Sequence, residues 1–222
     1  NVYKFEILAA LVHYRTIIRK PRQGLCSRYL RHLPVGTSIQ IGIKPPSSPF
    51  TMGDPTFYTR PLIGVATGTG IAPFRALLQD RCLQQKVIGP TLLFFGCRNS
   101  SADYHFQSEW QTVPNLVVHP AFSRDDASKE EDPKLALQRA AGIYDAGKNY
   151  VQHQIRNHAT EVGKLLEQNP IIVVCGNSGR MPKSVREALE DAAVMSGVVK
   201  DKEEAKAWFD RRETCVYWKG TL

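Results

Sequence analysis

Val65-Ala66-Thr67-Gly68-Thr69-Gly70-Ile71-Ala72-Pro73-Phe74 is the stretch of this sequence best equipped for chemistry at a phosphate. Gly68 and Gly70 carry no Cβ, so backbone N–H groups there can close on a pyrophosphate. A helix starting just beyond them adds aligned donors and partial positive charge. Pro73 suits such a first turn, where its missing N–H costs nothing. The spacing is not the G-x-G-x-x-G of the usual dinucleotide fingerprint, so a different winding of the supporting sheet is expected. The plain alternative is a tight strand-to-helix turn with no ligand.

A second group lies further along. Ser123 and Arg124, in Ala121-Phe122-Ser123-Arg124, follow a predicted strand and offer a hydroxyl and a guanidinium fork to a phosphate monoester. Lys148, Tyr150 and Gln152 add a cation, an aromatic face and an amide at the start of a predicted helix. Acting together, the two clusters would select NADPH over NADH through its 2′-phosphate, although a lone strand-end Arg usually faces solvent. Cys175, in Cys175-Gly176-Asn177-Ser178, ends another predicted strand. Its sulfur would lie beside the reacting carbon of a nicotinamide, or it is simply a small buried side chain.

The elements that must hold these groups change character along the chain. Lys4 to Tyr14 and Ser38 to Lys44 alternate like strands of an antiparallel barrel or sandwich, with a short helix over Arg28 to Leu33 between them. Pro45-Pro46-Ser47-Ser48-Pro49, running on to Gly53-Asp54-Pro55, breaks this pattern and marks a domain boundary, 1–53 before it and 54–222 after. Beyond it, short apolar runs alternate with helical periods, the signature of βαβ units on a parallel sheet. Strands are predicted over Leu62 to Ala66, Thr91 to Phe95, Leu116 to Pro120 and Ile171 to Cys175. Helices are predicted over Ala72 to Gln85, Tyr104 to Val113, Tyr150 to Gln168, Met181 to Met195 and Glu203 to Arg212. Residues 125–147, acidic and then Ala-rich, read as a surface insertion.

Composition narrows the function classes. The 222 residues carry a formal charge of +8, which favours anionic ligands or acidic protein surfaces. The basic residues are not interleaved with stacking aromatics, so nucleic-acid binding is not expected. No apolar run reaches the roughly 18 residues of a membrane span, and Asn1-Val2-Tyr3-Lys4-Phe5-Glu6 has neither the basic region nor the apolar region of a signal peptide. Five cysteines without a C-x-x-C argue against a zinc ribbon or a disulfide scaffold and for a reducing, cytoplasmic setting. The first residue is Asn, not Met, so a fragment or processed product is expected.

Five motifs in order resemble the ferredoxin–NADP⁺ reductase superfamily: the T-G-T-G-I-A-P-F turn, Phe94-Phe95-Gly96-Cys97-Arg98, the F-S-R triplet, Lys148 to His153 (K-N-Y-V-Q-H) and Val174-Cys175-Gly176-Asn177. The likeness is nearest to the diflavin reductases and, among them, to the cytosolic branch that feeds electrons to iron–sulfur cluster assembly. The resemblance covers about Lys4 to Glu213. It implies an α/β fold in which a parallel-sheet NADP-binding domain follows part of an antiparallel β-barrel FAD domain. It further implies hydride transfer from NADPH to FAD, then single electrons to FMN on a separate domain and on to an acidic acceptor protein of the anamorsin type. On matching positions, Thr67, Gly68, Thr69 and Gly70 would hold the NADPH pyrophosphate. Ser123, Arg124, Lys148, Tyr150 and Gln152 would hold the 2′-phosphoadenosine, and Cys175 would face the nicotinamide. Gly24, Cys26 and Ser27 would meet the FAD diphosphate, and Glu213 matches the family's C-terminal acid.

This chain departs from the pattern in four places. The isoalloxazine-gripping R-x-[YF]-S segment and the FMN module are expected before residue 1. Ala66-Thr67 replaces the first Gly-Pro of G-P-G-T-G. The insertion separates Arg124 from Lys148. Cys215 and a tail follow Glu213-Thr214 where the family usually ends in a Trp. Three other readings compete: a cytochrome P450 reductase-like donor, a nucleotide-binding or docking module without turnover, and a small-molecule dehydrogenase. The last lacks an acid–base pair of the Tyr-x-x-x-Lys kind.

Overall fold

The computed structural model describes residues 4–11, 13–15, 21–42, 55–84, 88–125, 149–176 and 179–221, with side chains undescribed at 13–15, 21–22, 55, 84 and from 212 on. The chain divides into two compact units, Asn1–Ser47 and Ser48–Leu222.

In the first unit, β1 (His13–Arg15) pairs antiparallel with β2 (Pro21–Gln23), His13 opposite Gln23. Helix α1 (Leu25–His32) follows directly, entered through Gly24 in an extended conformation. The strands expected over Lys4 to Tyr14 and Ser38 to Lys44 do not form as such: 4–11 and 38–42 are irregular, and 43–44 lie outside the described residues. A strand persists only when a neighbour takes its N–H and C=O groups. Among the described residues nothing pairs with 38–42, and Ile39 and Ile41 stand 43% and 59% exposed. The antiparallel barrel is therefore not seen here.

The second unit opens with α2 (Pro55–Thr59), and its strands follow from their composition. β3 (Leu62–Thr67, LIGVAT) is buried from Leu62 to Ala66, on both faces, which requires a near-continuous apolar run rather than alternation. A single 3₁₀ turn, Gly68–Gly70, leads into α3 (Ile71–Gln84). Next come β4 (Thr91–Cys97), the short α4 (Gln107–Trp110) and β5 (Leu116–Phe122). Helices α5 (Val151–Asn157) and α6 (Ala159–Leu166), β6 (Ile171–Gly176), α7 (Met181–Met195), α8 (Lys202–Val216) and β7 (Tyr217–Thr221) complete the unit.

The five strands are all parallel, in the order β5-β4-β3-β6-β7. Counted within this sheet the order is 3-2-1-4-5, that of the doubly wound nucleotide folds. The different winding expected from the glycine spacing is thus not found; the departure is confined to the turn. Ile63, Val65, Phe94 and Val174 point to one face, against Val151 and Ile155 of α5, Val162 of α6, Val185 and Leu189 of α7 and Phe209 of α8. On the other face α3 lies so close that Gly64 has no room for a Cβ beside the Phe74 ring. At the lower end of the sheet the wholly buried Arg81 donates to the carbonyls of Phe57, Arg60 and Gly89, tying α2 and the 88–90 turn to the start of β3.

Two helices differ from their predicted form. The one expected over Tyr104 to Val113 shortens to α4 because Phe106 adopts a left-handed φ of 62°, which a continuing helix cannot accept. The one expected over Tyr150 to Gln168 breaks at His158, whose φ and ψ are −107° and 30°. β7 is an additional strand that the sequence pattern does not announce.

Candidate functional site

Parallel strands bring all their carboxyl ends to one rim, where open α/β sheets bind ligands. Register sets that rim closely: Thr67 stands opposite Gly96, Cys97 opposite Phe122, and Ala66 opposite Cys175. The glycine turn, the Ser123–Arg124 end of β5 and Cys175 therefore share it. β3 and β5 are two strand spacings apart, about 10 Å. The distance suits one elongated ligand lying across the strand ends.

The turn is built by close approach. A Cβ on Gly70 would lie 2.5 Å from the Cys175 carbonyl oxygen, so only glycine lets the turn settle on the end of β6. Gly68 has φ of 54°, a left-handed conformation that exposes its backbone with nothing within 4 Å of a would-be Cβ. The free space above Gly68 and the start of α3 beneath it form an anion cradle. Arg75, one turn into α3, is committed elsewhere: its guanidinium forks onto Glu109 at 2.6 and 3.0 Å and lies over the Phe106 ring.

At the β5 end, the Ser123 N–H donates to the Cys97 carbonyl at 3.0 Å and the Arg124 N–H to the Arg98 carbonyl at 2.8 Å. Two exposed arginines on adjacent strand ends are thereby held side by side. Arg98 is a residue that the sequence reading quoted as part of a motif but did not assign to the site. Its signal was available, since Phe-Gly-Cys-Arg ends a strand just as Phe-Ser-Arg does. Asp125 fixes the pair further, accepting the Ser100 N–H at 3.1 and 3.2 Å. The Ser123 hydroxyl donates to the Cys97 carbonyl at 3.3 Å, a long bond that it must give up to donate to a phosphate.

Helix α5 brings in the third group. Val151 sits on Gly96, where a Cβ would meet its Cγ1 at 2.8 Å, so the helix start is pinned above β4. Tyr150 and Gln152, flanking Val151, are half-buried there, and the Tyr150 N–H donates to His153 Nδ1 at 3.3 Å. Asn149 Oδ1 is buried with no hydrogen-bond partner among the described residues. Lys148 lies outside the described residues, as do 126–147. Glu213 falls within α8, where only the backbone is described.

Cys175 is 1% exposed, and burial pushes its thiol up to about 12. It stays protonated near neutrality and is no thiolate nucleophile. Cys97 is likewise pushed to about 12, by burial and by the carboxylates of Asp103 and Asp125. In the first unit the Ser27 hydroxyl donates to the Gly24 carbonyl at 3.3 Å, while Cys26 is exposed.

The rim fits a phosphorylated dinucleotide: open space at the left-handed Gly68, two exposed arginines on neighbouring strand ends and an orphaned buried acceptor at the edge. A family model described as the oxidoreductase NAD-binding domain matches residues 65–187. The chain is 40% identical over 209 residues, 93% of its length, to NADPH-dependent diflavin oxidoreductase 1 of Gibberella zeae. It is 38% identical over 188 residues, 83% of its length, to the protein of that name from Schizosaccharomyces pombe. To that of Emericella nidulans it is 34% identical over 204 residues, 85% of its length. It spans 31%, 28% and 28% of these three relatives. The matched stretch runs from β3 into α7 and takes in the glycine turn, the paired arginines and Cys175. The chain belongs to the oxidoreductase NAD-binding domain family.

Proposed function

We propose that this chain is the NADPH-gripping part of an NADPH-dependent diflavin oxidoreductase. The observation that carries the reading is the shared rim, where strand register sets the glycine turn and the Ser123–Arg124 end about two strand spacings apart. The nicotinamide supplies a hydride and the flavins, FAD here and FMN on a companion domain, supply the one-electron steps.

The chain's own residues bind and orient. Backbone donors of Gly68, Thr69 and Gly70, after Thr67, take the pyrophosphate with help from the α3 amino terminus. Ser123, Arg124 and Arg98 take the 2′-phosphate, with Lys148 as a further cation. The Tyr150 ring and the Gln152 amide face the adenosine. Cys175, neutral and fixed beside Gly70, sets the floor for the nicotinamide. Gly24, Cys26 and Ser27 would meet the FAD diphosphate, and Glu213 would act at the nicotinamide end. The +8 charge favours an acidic electron acceptor, and the resemblance points to one of the anamorsin type in cytoplasmic iron–sulfur cluster assembly.

Retention on a 2′,5′-ADP resin tests the grip. Arg124→Ala should weaken NADPH about 10- to 100-fold, the value of a charge-assisted hydrogen-bond pair, while leaving NADH nearly unchanged. Equal losses for both nucleotides would remove Arg124 from 2′-phosphate recognition.

A further inference from the structure

A second cluster of chemically able side chains lies in the same unit, away from the nucleotide rim. His119, on β5, points toward the break between α5 and α6, where His158 and Glu161 emerge one helical turn apart. The two imidazole rings stack with centroids 3.6 Å apart, and His119 Nε2 lies 2.9 Å from Glu161 Oε2. One ligand atom from each of the three residues lies within 4.8 Å of the other two.

We propose that His119, His158 and Glu161 form a binding site for a divalent transition-metal ion, with Zn²⁺ as the representative case. Two imidazoles and a carboxylate make a donor set that suits Zn²⁺, Cu²⁺ or Ni²⁺ rather than Mg²⁺ or Ca²⁺. His158 already has the tautomer this role needs, and a rotation of its ring out of the stack on His119 brings Nε2 to the ion. Its Nδ1 lies 2.9 Å from the Gln154 carbonyl, and a carbonyl can only accept, so Nδ1 carries the proton and Nε2 keeps its lone pair. A backbone carbonyl holding the far nitrogen of a ligating histidine is the usual outer support of such sites.

His119 stands on a firm floor, stacked on the Phe94 ring at 5.5 Å. Its Nε2–H donates to Glu161 in the empty site; an entering ion takes Nε2 as the proton shifts to Nδ1, and the ring stays neutral. Glu161 is 45% exposed and His119 15%, giving an open side for the ion and for solvent ligands. Bonds of about 2.0–2.1 Å put donors about 3.3 Å apart, so the His119–Glu161 pair at 2.9 Å opens slightly while the pairs with His158, within 4.8 Å, close by up to about 1.5 Å. Glu161 is free to move, and His158 sits at a helix break rather than inside a rigid turn.

Titration of the 222-residue chain with Zn²⁺ at pH 7.5, read by competition with a chromophoric chelator, tests the site. One saturable ion per chain and a higher melting temperature with Zn²⁺ are expected. His158→Gln and Glu161→Gln, both at partly exposed positions, should each weaken Zn²⁺ about 10- to 100-fold and melt as the parent does without metal. A Cys26→Ser/Cys82→Ser variant should keep full affinity. The proposal is overturned if both ligand variants bind Zn²⁺ as tightly as the parent, if the cysteine variant loses it, or if no saturable binding is found. NADPH binding plays no part in these readouts, so their outcome leaves the nucleotide reading untouched.

Discussion

Gly70 decides more at the rim than any charged residue, because its absent side chain is what lets the turn approach Cys175 and Gly176. Gly70→Ala must push the turn off β6, at a cost of about 1–3 kcal/mol. Retention on 2′,5′-ADP resin should fall sharply even though no charge changes. A variant that is retained like the parent and melts at the same temperature would show that the turn has slack. The sequence pattern ties this glycine to a ligand; the tertiary structure adds β6 as a neighbour that a Cβ would strike. Arg98 ends a strand as legibly as Arg124 does, but it lies 26 residues away in the chain, and only the β4–β5 ladder makes their backbones partners at 2.8 Å.

At the level of elements, α5, α7 and α8 are fastened by one carboxylate. Asp191 on α7 receives Arg156 Nε from α5 and Lys202 Nζ from α8, each at 2.8 Å. Burial alone would raise its pKa, but the two cations more than offset this and hold it below its ordinary value of 3.8. A carboxyl with a lowered folded pKa contributes stability above its unfolded value, and that contribution fades as pH falls through the folded one. Asp191→Asn should therefore cost about 1–2 kcal/mol near pH 7, and denaturant melts of the two proteins should converge below pH 3.8. A pH-independent difference would mean that packing, not charge, is responsible. Helix boundaries were legible where periodicity and breakers agreed, as for Met181–Met195. They were not legible at Phe106 and His158, where the backbone conformation is set by contacts from other elements.

For the unit Ser48–Leu222 as a whole, the rim gathers groups from β3, β4, β5, β6 and α5, so a ligand that spans it cross-links the sheet to its covering helix. NADP⁺ at about 100 times its Kd should raise unfolding free energy by about 2.7 kcal/mol, seen as a higher melting temperature. Gly70→Ala and Arg124→Ala should blunt the rise. An equal rise in all three proteins would place the nucleotide elsewhere.

From residue order alone, the alternation of apolar runs with helical periods was enough to define a parallel α/β unit, since a strand buried on both faces cannot be written any other way. The glycine turn, Ser123–Arg124 and Tyr150–Gln152 were visible for the same local reason: each follows a strand or opens a helix. The winding of the sheet, the meeting of Arg98 with Arg124 and the stacking of His119 on His158 belong to the tertiary structure. They depend on which strand lies beside which, and hydrogen bonding between strands distant in sequence leaves no trace in the spacing of either one.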